Sequence, residues 1–206
     1  MNILITGVHG FVGSNLVKAL VPEHTIFGLD IVAPKKEGVK KTFFWEDLPS
    51  TNLGQTQLLD FPKIDAIIHL AGKAHDTRNK STADVYFRVN TGLTQRIFDW
   101  FLTSKSAKKF IFFSTVKSAA DRVEGEFLTE ECVPTPVGPY GESKIKAEDY
   151  IIGHFAPEAL ERPYHNFNDS DSIIKDKQVY IMRPCMIHGP GNKGNLNLLY
   201  GVVSKG

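Results

Sequence analysis

Tyr140 and Lys144 stand four residues apart in the run Tyr-Gly-Glu-Ser-Lys. On a helix that spacing puts both side chains on one face. An ammonium beside a phenol favours the phenolate and lowers its pKa from about 10. A tyrosine tuned in this way can exchange a proton with a sugar or alcohol hydroxyl. Upstream, Ser114 and Thr115 close an apolar run. A hydroxyl at the C-terminal end of a parallel strand lies where such sheets bind ligands. A second group of residues stands near the start of the chain. Gly7, Gly10 and Gly13 form G-x-x-G-x-x-G between a short apolar run and an amphipathic segment. A pyrophosphate must approach the backbone closely there, and a β-carbon would block it. The helix N-terminus then offers unpaired N–H groups to the anion. Asp30 follows about 20 residues later, where an acid accepts hydrogen bonds from an adenosine ribose. The same carboxylate repels a 2′-phosphate, which favours NAD over NADP. Lys35 and Lys36 are the opposing signal and are read as solvated loop charges. Together the two groups describe hydride exchange with a nicotinamide, with Tyr140 carrying the proton.

These residues need elements to position them. Short apolar runs at 2–6, 25–30, 42–45, 66–70, 110–114 and 179–182 are strand candidates. Helical patterns cover 11–20, where Val12, Leu16 and Leu20 recur at the right spacing, and more extensively 81–102 and 141–152. Continuous rather than alternating apolar strands mean a parallel sheet covered on both faces. The expected fold is therefore α/β, a doubly wound parallel sheet flanked by helices. Residues 161–177 read as a surface loop. Phe43, Phe44, Phe110, Phe112 and Phe113 read as sheet core, and His69 as a core histidine.

Composition excludes several classes. The 206 residues carry 24 Lys+Arg against 23 Asp+Glu, so no global field draws nucleic acid or an anionic membrane. A hydrophobic share of 42% argues for a packed domain rather than disorder. No run approaches the roughly 18 apolar residues of a membrane span. The N-terminal run lacks the basic flank of a signal peptide. Cys132 and Cys185 are too few for a disulfide framework or a zinc site, which leaves no metal expected and a reducing, cytoplasmic setting.

Eight segments, in order, carry a resemblance: TGVHGFVG from Thr6, Asp30, WEDL from Trp45, DAIIHLAG from Asp65, VNTG from Val89, FIFFST from Phe110, YGESK from Tyr140 and RPCMIHGPG from Arg183. The chain resembles the extended short-chain dehydrogenase/reductases, in particular the NAD-dependent epimerase/dehydratase family and its UDP-sugar 4-epimerases. The resemblance implies a Rossmann-like domain over 1–190, with 191–206 beginning a substrate lobe that is largely absent. It implies Tyr140 and Lys144 as catalytic acid/base and partner, Lys144 also holding the nicotinamide ribose, and Thr115 as the hydroxyl bonded to the reacting sugar oxygen. Gly7, Gly10, Phe11, Val12 and Gly13 match the pyrophosphate turn. Asp47 and Leu48 match the pair that brackets adenine, and Leu70, Ala71 and Gly72 the loop over the cofactor. Pro184 and Cys185 match positions flanking the nicotinamide. Asn195 and Leu196 fall where epimerases contact the nucleotide sugar. Asn90 matches a cofactor-side asparagine, or else bridges buried backbone in a helix bend. Lys73 and His75 lie where a substrate could pass, or are simply solvated. His188 is expected to pack.

Dehydratases of this type place an Asp-Glu pair after the Thr; here Val116 and Lys117 stand there. That leaves oxidation and reduction at one carbon. The expected function is a NAD-dependent nucleotide-sugar 4-epimerase. The alternative is an NAD(P)H-dependent 4-keto-sugar reductase. A non-catalytic dinucleotide-binding protein is a third reading, disfavoured because both Tyr140 and Lys144 are retained. A homodimer is expected through the two long helices, which form a four-helix bundle in relatives.

Overall fold

Six runs rich in β-branched and aromatic residues form one parallel sheet. A computed structural model describes residues 1–48, 61–74, 81–123, 125–161, 171–192 and 203. The strands are β1 (Asn2–Thr6), β2 (Thr25–Asp30), β3 (Val39–Phe44), β4 (Ala66–His69), β5 (Lys109–Phe113) and β6 (Gln178–Met182). The helices are α1 (Phe11–Leu20), α2 (Ala83–Tyr86), α3 (Leu93–Thr103) and α4 (Gly138–Phe155), with a π-helical turn, Phe87–Gly92, fusing α2 to α3. The sheet order is β3-β2-β1-β4-β5-β6. This is the doubly wound order of dinucleotide-binding folds. Chain direction across the sheet reverses between β1 and β4, whose pairing sets Thr6 against His69. A crevice opens at the C-terminal ends of these two strands.

Alternation along each strand sends side chains to two cores. Leu4, Phe27, Leu29, Ile67, Phe110 and Phe112 face α3 and α4, where Phe98, Phe101, Ile151 and Phe155 complete the larger apolar core. Ile3, Ile5, Ile26 and Ala66 face α1 through Val17, Leu16 and Leu20. Both faces are thus covered, as the unbroken apolar strands require.

Several boundaries differ from the sequence reading. The third strand begins earlier, at Val39, because it pairs with Ile26 of β2. Trp45 leaves the strand and opens a 3₁₀ turn, Trp45–Asp47. Phe44 is 45% exposed rather than core, because its neighbours Phe43 and Trp45 take the inward positions on this edge strand. Phe113 lines a cleft instead of the core. The helical pattern over 81–102 is one path broken by the π turn. Residues 162–170 of the expected loop lie outside the described residues. Lys177, at its end, is buried rather than solvated: its Nζ donates to the carbonyls of Ser104 (2.7 Å) and Ala107 (2.8 Å) and lies over the Phe101 ring.

Candidate functional site

The glycine turn connects β1 to α1. Gly7 takes φ +68°, a left-handed conformation that glycine adopts without strain. Its N–H donates to the carbonyl of Leu29 (2.9 Å) and its carbonyl accepts from Gly10 (3.0 Å). A Cβ on Gly13 would stand 2.5 Å from Gly7 O and 2.8 Å from Val8 Cα. Only glycine therefore lets α1 seat on the turn. No side chain caps the α1 N-terminus at Gly10, so its first-turn N–H groups face the crevice without a side-chain acceptor. Asp30 ends β2 beside this turn. Its carboxylate accepts from the N–H of His9 (3.0 Å) and of Ile31 (2.8 Å), which fixes its orientation. Lys36, read as solvated, instead donates to Ser14 Oγ on α1 at 2.8 Å.

The other wall comes from β5, β6 and α4. Tyr140 sits in the first turn of α4 and Lys144 one turn on. The Thr115 side chain hydrogen-bonds the Tyr140 phenol. Lys144 is 5% exposed, donates to the carbonyl of Phe113 (2.9 Å) and lies 4.7 Å from the centre of the Phe112 ring. Burial lowers its pKa to about 8, against an opposing pull from Glu148. The tyrosine corrects the expected direction. Burial pushes the Tyr140 phenol above 10, and the Thr115 hydrogen bond pulls it back only in part. Lysine proximity does not govern it in this structure.

Behind this pair lies a buried ionic group that sequence reasoning missed. Glu148, one further turn along α4, is fully buried. It pairs with Arg183 through Nη2 (2.5 Å) and Nε (3.0 Å). Its other oxygen accepts from Ser114 Oγ and from Ser118 Oγ (2.6 Å). One carboxylate thus ties α4 to the ends of β5 and β6. The available signal was the spacing of Tyr140, Lys144 and Glu148 by four.

Asn90 lies in the π turn with no exposure. Its Oδ1 accepts from Lys73 N–H (2.7 Å), and its Nδ2 donates to Lys73 O (3.1 Å) and Ser143 Oγ (2.9 Å). The side chain is spent on bridging buried backbone and α4. A Cβ on Gly72 would meet Asn90 Oδ1 at 3.1 Å and Lys144 Nζ at 3.3 Å, so this loop runs against both.

A cleft of about 320 Å³ joins the two walls. Gly7, Gly10, Phe11, Val12 and Gly13 line one side; Leu70, Gly72, Lys73 and Ala74 the floor; Tyr140, Lys144, Phe113, Ser114, Pro184 and Ile187 the other. Most of the expected cofactor residues therefore share one space. Asp47 and Leu48 stand away from it, beyond the end of β3 on the Asp30 side. The Asp47 carboxylate accepts from Phe44 N–H (2.8 Å) and Leu48 is packed into the core. Ala71 packs against the core under the loop. Cys185 and His188 are exposed, the latter contrary to the packed role expected of it. His75, Asn195 and Leu196 lie outside the described residues. Among the described residues no group of three or more His, Cys, Asp or Glu could hold a metal, and no helix is long and apolar enough to cross a membrane.

Known proteins resemble this chain. A UDP-glucose 4-epimerase of Vibrio cholerae is 29% identical over 216 residues, covering all of this chain and 57% of its own length. An undecaprenol-linked N-acetylglucosaminyl 4-epimerase of Escherichia coli O157:H7 is 26% identical over 204 residues, covering 96% of this chain and 53% of its own length. The chain thus spans about half the length of these curated relatives. A solved UDP-glucuronic acid 4-epimerase of Bacillus cereus, in complex with NAD, superposes with a TM-score of 0.61 at 22% identity, over 93% of this chain and 59% of that one. At that identity it shows the fold alone. The sequence pattern of one family runs from residue 3 to residue 167, through the glycine turn, Thr115, Tyr140 and Lys144. The chain belongs to the NAD dependent epimerase/dehydratase family.

Proposed function

We propose that this chain is the cofactor-binding part of a NAD-dependent nucleotide-sugar 4-epimerase. The observation that carries the reading is the single cleft lined both by the glycine turn and by Tyr140 and Lys144. The residues fit a dinucleotide: glycine at positions 7 and 13 lets α1 seat tightly on the turn, and the uncapped N–H groups at its start lie along the cleft. Gly7, Gly10, Phe11, Val12 and Gly13 would hold the pyrophosphate. The oriented carboxylate of Asp30 would take the adenosine ribose and disfavour a 2′-phosphate. Asp47 and Leu48 would bracket adenine, Leu70, Ala71 and Gly72 would run over the cofactor's ribose and phosphates, and Pro184 would flank the nicotinamide. When bound, NAD supplies the reversible oxidation of one sugar carbon.

The chain's own residues handle the proton. Tyr140 Oη takes the proton of the sugar hydroxyl and returns it. Thr115 Oγ1, already bonded to that phenol, holds the same sugar oxygen in line. Lys144, positive below about pH 8, stands one turn along α4 from Tyr140 and would hold the nicotinamide ribose. Asn90 fixes the loop at Lys73 and the helix at Ser143, beside the cofactor's place. Elimination of water is disfavoured. Val116 has no ionisable group, and Lys117 is turned to Asp121 at 2.6 Å. Asn195 and Leu196 would contact the nucleotide sugar. Homodimerisation through α2–α3 and α4 completes the proposal, and a monomer by light scattering at micromolar concentration would remove that part.

The natural full-length protein, incubated with UDP-glucose, UDP-N-acetylglucosamine and their galacto epimers, is expected to interconvert one pair. Consumption of NAD(P)H with a 4-keto sugar, and no interconversion, would replace the epimerase by a reductase. Tyr140→Phe is expected to lose about 10²–10⁴-fold in turnover while NAD affinity stays near wild type. Full turnover by this variant would remove the tyrosine's role.

A further inference from the structure

His69 joins the two halves of the loop that floors the cleft. It is fully buried in β4, stacked on Phe112 (5.5 Å between ring centres) with the edge of Trp45 at 6.4 Å. Each ring nitrogen meets a threonine hydroxyl: Nδ1 faces Thr6 Oγ1 at 2.6 Å and Nε2 faces Thr94 Oγ1 at 2.9 Å. The surrounding bonds decide where the protons are. Thr6 Oγ1 accepts the N–H groups of Leu70 (3.1 Å) and Ala71 (2.9 Å), which fill its lone pairs. Its one proton therefore goes to His69 Nδ1. Thr94 Oγ1 gives its one proton to the carbonyl of Asn90 (2.6 Å) and so accepts from His69 Nε2. Asn90 in turn holds Lys73 through its side chain. A continuous one-way chain of hydrogen bonds runs from the amides of Leu70 and Ala71 to the π turn, and returns to the same loop at Lys73.

We propose that His69, fixed as the neutral Nε2–H tautomer, is a positioning residue that holds the 70–73 loop by linking Thr6 to Thr94. An imidazolium would aim a second N–H at a hydroxyl already donating, breaking the chain at Thr6. Burial and the facing ammonium of Lys144 on α4 both disfavour that charged form. The consequence for cofactor binding rests on the NAD reading above; the linkage itself does not.

Two measurements on the 206-residue chain test the linkage. Nitrogen-15 spectra of the wild-type histidine rings are expected to show His69 with a pyridine-type Nδ1 and a pyrrole-type Nε2 near neutral pH. A protonated Nδ1 overturns the assignment without any variant having to fold. In Thr94→Val, amide exchange at Leu70, Ala71 and Lys73 is expected to quicken at least tenfold. The β1 amides of Ile3, Leu4 and Ile5 should hold their rates, and Thr94→Ser should restore the loop. No change, or a uniform acceleration throughout, overturns the positioning role. NAD titration of the same variants is expected to give about tenfold weaker binding for Val and near wild-type binding for Ser. Equal affinity in wild type and Val overturns the link to the cofactor. A wild-type chain that does not bind NAD sinks the cofactor reading, while the ring and amide data still decide the linkage.

Discussion

Gly13 shows how little room a single position can leave. The atoms a Cβ would meet are backbone, Gly7 O at 2.5 Å and Val8 Cα at 2.8 Å, and neither can rotate away. Gly13→Ala is expected to cost about 1–3 kcal/mol by overpacking and to weaken NAD binding in a titration beside a thermal melt. An unchanged melt and affinity would show that α1 shifts freely. Lys144 makes a prediction in pH. Its folded pKa, about 8, lies below the ordinary 10.5, so between these values the unfolded chain binds the extra proton. The associated stability is complete above about pH 10.5 and is lost as pH falls through about 8. Denaturant midpoints should therefore rise with pH across that window in wild type relative to Lys144→Met. Parallel profiles for the two proteins would refute the burial of its charge. Glycines and the Tyr-x-x-x-Lys pair were legible in the sequence because their chemistry needs those residue types at fixed spacing. The Tyr140 shift was not, because it depends on how deeply α4 sets the ring.

At the scale of elements, Glu148 and Arg183 hold α4 against β5 and β6. Arg183→Met leaves a buried carboxylate whose remaining hydrogen bonds come from the Ser114 and Ser118 hydroxyls. It is expected to lose about 3–5 kcal/mol in chemical denaturation. Adding Glu148→Gln should return part of that loss, since the two changes share one interaction. Strict additivity would sink the claim that they form one unit. The strands were readable because buried parallel strands are continuous apolar runs, as in 66–70 and 110–114. Their ends were not, because pairing with a neighbour decides them, as Ile26 does for Val39. The π turn escaped notice for a related reason: over six residues no side-chain pattern separates i→i+5 from i→i+4 bonding. Its position is visible only once Asn90 and Thr94 are seen to bond Lys73 and His69.

For the molecule as a whole, the two walls of the cleft come from distant sequence regions, Gly7–Gly13 and Phe113 onward, so ligand and fold are coupled. NAD at a hundredfold above its dissociation constant is expected to stabilise the 206-residue chain by about 2.7 kcal/mol, read as a rise in melting temperature that grows with NAD concentration. A melt indifferent to NAD would show that the cleft does not close on it. The sheet order carries a further consequence, for synthesis. β1 is made first and lies at the centre, yet Thr6 meets His69 only 63 residues later. At roughly 5–20 residues per second, that strand waits about 3–13 s on the ribosome for its second neighbour. During that interval β1 has an open side, and the strand that leads into the glycine turn stays exposed to mispairing.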